Sequence, residues 1–151
     1  MKMKIIFRTC HLLFIAILVV INYYNFSVIY FTSHRDGKSL RDAEEFLSEL
    51  CHRMPSRTLW ISEIPMGLCS RCSGIYLSLL AILALSFPYK ELFQKKYIKV
   101  ALVLLLPLIL DGTFQLLGFY LSNNTIRLIT GLLFGFSVGY ILIYFTTPKT
   151  K

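Results

Sequence analysis

Charge is scarce in this chain. Only 16% of its 151 residues are Asp, Glu, Lys or Arg, against about 25% in an ordinary soluble domain. Acidic residues are fewest, eight against 16 Lys and Arg. An apolar fraction of 56% excludes a disordered tail, and the thin charge excludes a soluble enzyme. The net charge of +8 does not mark a nucleic-acid module, since no basic stripe interleaved with aromatics accompanies it. Lys and Arg instead flank apolar blocks, as near anionic headgroups. A small-x-small cleavage site is also missing, because Asn22, Tyr23, Tyr24 and Asn25 follow the first apolar stretch. That stretch is therefore expected to stay as a transmembrane helix.

What is present is a set of four apolar blocks at about 10–31, 73–89, 98–121 and 126–145. Each is near the roughly 20 residues that cross about 30 Å of hydrocarbon. The expectation is an all-α membrane protein, one integral membrane domain over residues 1–151. Its four transmembrane helices share one extramembrane loop, residues 32–71, which lies between helices one and two. Pro88 ends helix two, and the short later connections make neighbouring helices antiparallel.

The positive-inside rule orients the chain weakly. With the N-terminus inside, nine Lys and Arg lie inside and seven outside. This places the N-terminus in the cytoplasm and the cysteine loop outside a cell (cytoplasmic, or inner) membrane.

Within the loop, Ser39 to about Arg53 has a surface-helix pattern. Leu40, Ala43, Phe46, Leu47 and Leu50 recur on one face, and Ser39 with Asp42 makes a near-capping box. The apolar face is expected on the headgroups or on the end of the bundle. Pro55 stops the helix, Thr58 to Ile61 is extended, and Pro65 and Gly67 turn the chain toward Cys69.

Two constellations carry chemistry. The first is Cys51-His52 with Cys69-Ser-Arg-Cys72, which begins 17 residues after His52. A C-x-x-C knuckle with a second ligand pair at this spacing is a zinc pattern. The candidate metal ligands are Cys51, His52, Cys69 and Cys72, with zinc as the implied cofactor and His34 as a substitute for His52. Neighbouring residues on a helix point about 100° apart, so Cys51 and His52 share an ion only where the helix frays. An extracytoplasmic loop equally suits a disulfide or thiol redox pair of Cys69 and Cys72. Cys72 opens a helix beside Arg71, and both features favour a thiolate. Thiol-to-quinone membrane enzymes generally use a second cysteine pair, which this chain lacks.

The second constellation is intramembrane. Asp111 sits midway along helix three, where a carboxylate is costly unless paired or protonated. Gln115 lies one turn on, and Pro107 one turn earlier frees a carbonyl and can bend the helix. Arg127 opens helix four after a Ser122-Asn123-Asn124 cap. Asp111 lies about 14 Å of helix rise from that end, within approach of a long Arg side chain or a Gln115 bridge. Antiparallel threading brings the ends at Cys72, Leu121 and Arg127 to one membrane face. A pocket of Asp111, Gln115 and Arg127 beneath the cysteines suits a small anion, a lipid headgroup or a proton, and these three are the candidate catalytic residues of an activity left open. The bland reading is that Asp111 and Arg127 only hold helices together. A structural or assembly subunit of a membrane complex is a third possibility.

Gly131, Gly135 and Gly139, each four apart, form a small-x-x-x-small ridge suited to close helix packing or to a homo-oligomer contact. Cys10 and His11 have no assigned role. The expected partner is the lipid bilayer, not nucleic acid.

Four motifs are Cys51-His52-x-x-Pro55-x-Arg57, Cys69-x-Arg71-Cys72-x-Gly74-Ile75-Tyr76, Asp111-Gly112-x-x-Gln115 and Asn124-x-x-Arg127-x-x-Thr130-Gly131. In order and spacing they resemble the domain-of-unknown-function family 2085, small multi-pass membrane proteins of bacteria and archaea. The resemblance covers about Cys51 to Gly135 and leaves the first helix outside. Ser73 and Ser78 stand where Thr and Gly are expected. The resemblance implies a membrane location and marks these residues as motif positions, but names no substrate.

Overall fold

The computed structural model describes residues 2–87, 93 and 97–146. The first apolar block and its basic approach form a single helix, α1 (Lys2–Ser33). Three helical stretches are long and apolar enough to cross a membrane: Arg8–Ser33, Ile98–Leu116 and Asn124–Thr146. The expected fourth is shorter. α3 (Ser70–Leu85) has 16 residues, about 24 Å of rise against some 30 Å of hydrocarbon. It starts three residues before the expected Ser73, because Cys69 ends a strand and the helix follows directly. Pro88 and Tyr89, the expected end of that helix, lie outside the described residues.

The third apolar block is not one continuous helix. α4 (Ile98–Val103) and α5 (Leu106–Leu116) are separated at Leu104-Leu105. Pro107 in the first turn of α5 has no N–H to donate to the preceding turn, so the ladder breaks there. The block ends at Leu116 rather than near 121, where Gly118 adopts φ +76°, a left-handed stop that glycine takes without strain. α6 (Asn124–Thr146) follows, and Asn123 Oδ1 accepts from the Ile126 N–H at 2.8 Å as its cap.

The loop is more ordered than an amphipathic helix and a turn. α2 spans Gly37–Ser48 and is capped by Asp36, whose Oδ1 accepts from Ser39 N at 3.2 Å. Asp36 therefore replaces the expected Ser39 box, and its carboxyl is held below the usual range by that hydrogen bond. Ala43 and Leu47 are fully buried with Val28 and Leu68, so the apolar face packs on the end of the bundle rather than on lipid. Helix α2 ends at Ser48, and Pro55 instead begins a short 3-10 turn, Pro55–Arg57.

β1 (Thr58–Ile61) and β2 (Ile64–Cys69) then form an antiparallel hairpin pairing Ile61 with Ile64 and Trp60 with Pro65. The expected turn at Pro65 and Gly67 lies inside β2, and the chain reverses at Ser62-Glu63 instead. Both have positive φ, 50° and 66°, the primed-turn geometry that matches strand twist.

Helix α3 lies between α1 and α6. An added Cβ on Gly131 would collide with the Arg71 carbonyl, on Gly135 with Ser78 and Ile75, and on Gly139 with Ile82. Gly74 meets the α6 backbone at Leu128 and Leu132 in return. The two helices run parallel at backbone contact. The glycine ridge is thus filled by α3 of the same chain, and a homo-oligomer through that face would have to displace α3.

The α1–α3 contact is polar at three levels. Asn25 Nδ2 donates to Ser73 Oγ at 3.2 Å, and Asn22 Nδ2 donates to the Tyr76 carbonyl at 3.3 Å. His11 Nε2 lies 3.1 Å from Ser86 Oγ and 3.3 Å from the Leu83 carbonyl oxygen. Asn25 Oδ1 also accepts from the Leu68 N–H at 2.8 Å, tying the hairpin to α1.

Candidate membrane-surface pocket

The site assembles where the loop meets the first turns of α3 and α6. Leu50 N and Cys51 N bond back to the Leu47 carbonyl, which ends the helical path and leaves Cys51 buried. Arg53 follows at φ 49°, a left-handed conformation that costs a non-glycine residue about 1 kcal/mol or more. Its side chain offsets this. Nε donates to the Gly67 carbonyl at 3.0 Å, and the terminal nitrogens donate to the Glu44 carbonyl and carboxylate at 3.1 and 2.7 Å. Arg53 therefore locks α2, the cysteine bend and β2 together.

That bend and the end of β2 bring Cys51, Cys69 and Cys72 together. The thiols of Cys69 and Cys72 hydrogen-bond to Cys51 and hold its pKa well below the ordinary thiol range. The same contact pushes the Cys69 thiol up, since a second ionisation would place two negative charges side by side. Cys51 is therefore the most acidic thiol of the cluster. All four cysteines are free, and Cys10 is exposed on α1 away from the others.

A cavity of about 380 Å³ opens beside the sulfurs. Leu50, Cys51, His52 and Met54 line it from the bend after α2, and Cys69, Arg71 and Cys72 from the end of β2 and the start of α3. Arg57 and Arg127 complete it. His52 is exposed at the mouth. His34 is elsewhere, stacked on Tyr30 with ring centroids 4.0 Å apart. Among the described residues, no group of three or more His, Cys, Asp or Glu has the arrangement of a metal site. The soft sulfur donors suit zinc, but His52 would have to turn inward to complete a tetrahedron.

Asp111 is buried, and it pairs with Arg71. Its other oxygen accepts from the Tyr120 hydroxyl, whose own pKa is raised by that bond. Gln115 Oε1 lies 3.5 Å from the same Arg71 nitrogen. Arg127, the expected neighbour of Asp111, instead donates to Asn124 Oδ1 at 3.0 Å. Asp111 and Gln115 thus meet through Arg71, while Arg127 lines the pocket separately. Sequence reasoning gave Arg71 only a part in thiolate stabilisation, and left Arg57, Tyr120 and Arg53 without roles. The Arg71–Cys72 adjacency was the available signal. Nothing local marked Arg53. Hydrogen bonds from Asn124 Nδ2 to the Thr58 carbonyl (2.8 Å) and from Ser70 Oγ to the Arg57 carbonyl (3.0 Å) fix the hairpin over the helix ends.

A family model described as "Predicted membrane protein (DUF2085)" matches residues 51–141. The chain belongs to this family, a class of helical membrane proteins. Among its relatives is "Uncharacterized protein MJ1492" of Methanocaldococcus jannaschii, 37% identical over 102 residues, which are 64% of this chain and 63% of that protein. An "Uncharacterized protein" of Methanothermobacter thermautotrophicus is 35% identical over 92 residues, 61% of this chain and 83% of its own. The chain thus spans less than two thirds of the first relative and most of the second. No solved structure matches.

Proposed function

We propose that Cys51, Cys69 and Cys72, with His52 as fourth donor, hold one zinc-like ion at the mouth of the pocket. The ion would pin the loop above Arg71, Asp111, Gln115 and Arg127. The observation that carries this reading is the convergence of three free thiols from two separate segments, with the Cys51 pKa lowered by hydrogen bonds from the other two. A soft cation takes the place of the protons that Cys69 and Cys72 share with Cys51, and the neighbouring guanidiniums offset the thiolate charge. In this reading α3 is a short fourth span, supported by its apolar sequence and its course along α6. The protein then sits in the cell membrane with its N-terminus inside and its cysteine loop outside, for which nine basic residues against seven give the support.

The test is metal content by mass spectrometry on detergent-purified protein, with Cys69→Ser in parallel. About one zinc per chain, lost in the variant, is the expected result. A metal-free protein sinks the reading.

The acidic Cys51 thiol beside two others also favours a second reading, thiol–disulfide exchange through Cys69 and Cys72. Alkylation before and after reduction separates the two. Thiols shielded without a disulfide belong to the metal reading, and a Cys69–Cys72 disulfide belongs to exchange.

A further inference from the structure

Arg127 is only 7% exposed, and its Nε has no hydrogen-bond partner among the described residues. Arg71 is half-buried and shares one of these features. Its terminal nitrogen is taken by Asp111 and Gln115, while its buried Nε has no partner among them. Both guanidiniums line the pocket, and exposed Arg57 stands at its rim. A buried donor without a partner is costly, and more so when charged. Two such donors beside one pocket call for an acceptor that the described residues do not supply. Among the described residues Asp111 is the carboxylate bonded to this trio, and even with the Cys51 thiol counted as ionised three positive charges face two negative ones.

We propose that this pocket binds a phosphate group through Arg57, Arg71 and Arg127. Guanidinium forks match phosphate oxygens two at a time, which lysines cannot do. The volume, about 380 Å³, accommodates a phosphate with substituents attached. Leu50 and Met54, which also line it, suit an apolar neck. Two sources share this chemistry: free phosphate, and the headgroup of an anionic phospholipid. The site goes beyond the metal reading and does not need the ion.

The full chain is titrated with inorganic phosphate by calorimetry in dodecyl maltoside micelles, which contain no phosphate. In parallel, it is reconstituted in phosphatidylcholine bilayers containing phosphatidylglycerol, and retained lipid is read by native mass spectrometry. Arg57→Gln and Arg127→Gln are compared with wild type. Saturable phosphate binding identifies the free ion, and selective phosphatidylglycerol retention identifies the headgroup. In either case each substitution should weaken binding about tenfold or more, as the loss of a charged hydrogen bond implies. If Arg127→Gln does not fold, exposed Arg57→Gln decides. Failure of both probes to bind, or binding indifferent to the arginines, overturns the proposal. Arg41→Gln is the control: this exposed arginine of α2 does not line the pocket, and its loss should leave phosphate-group binding within about twofold of wild type, while metal content read on the same samples keeps the two readings apart.

Discussion

Arg71, in the first turn of α3, forms an ion pair with Asp111 in α5. The pair joins the loop motif to the intramembrane carboxylate, two features far apart in the chain. It makes the Cys69-x-x-Cys72 segment and α5 mutually dependent.

Removing one partner should therefore cost more than removing both. Arg71→Gln leaves the Asp111 carboxylate with only the Tyr120 and Ser122 hydroxyls among the described residues, and a destabilisation of about 3–5 kcal/mol is expected. Arg71→Gln with Asp111→Asn should recover much of this. Denaturant unfolding in a fixed detergent measures all three, and additive costs would mean that the pair is not coupled.

The α3–α6 contact predicts a steep difference between glycines. Gly131→Ala and Gly135→Ala press a methyl group against α3 backbone and should cost about 1–3 kcal/mol. Gly112→Ala meets nothing within 4 Å and should gain about 0.5–1 kcal/mol from helix propensity. Thermal unfolding of the three variants checks the order.

The thiol cluster predicts a stability maximum in metal-stripped protein. The folded pKa of Cys51 is lowered, so below the unfolded thiol value of about 8.5 the unfolded chain binds more protons and stability rises with pH. The folded pKa of Cys69 is raised, so above that value the folded chain binds more and stability falls. Cys51→Ser should flatten both limbs, as read by unfolding midpoints from pH 6 to 10.5. Iodoacetamide should also label wild-type Cys51 on the acid side of neutrality, while Cys69→Ala removes one donor and lowers that labelling.

Asn25 predicts a tertiary role for one buried amide. Asn25→Ala strands the Leu68 N–H and takes from Ser73 Oγ the donor it accepts from, at a cost of about 1–3 kcal/mol. Hydrogen exchange should show Leu68 and its hairpin neighbours losing protection before α6 does.

Much of the architecture is legible in composition and period alone. Thr58 to Ile61 reads as extended because β-branched and aromatic residues sit between turn formers, and the strand has those bounds. Asp111 stands out because a carboxylate in an apolar block requires a partner. Its partner is not legible, since helix rise brings Arg127 near while only the glycine contact of α3 with α6 brings Arg71 to it. Asp36 was hidden as a cap behind Ser39, a residue of equal capping strength. Asn22, Asn25 and His11 read as incidental because their partners on α3 lie at least 48 residues away. The left-handed Arg53 leaves no local trace.

The break at Leu104-Leu105 gives Arg71 two unequal supports. On one side, α1, the hairpin and α3 are stitched by Asn25 and Arg53. On the other, Asp111 and Gln115 ride on α5, whose helical ladder is cut two residues before it begins. A bound molecule that pulls on Arg71 thus acts on a braced frame at one end and on a jointed lever at the other.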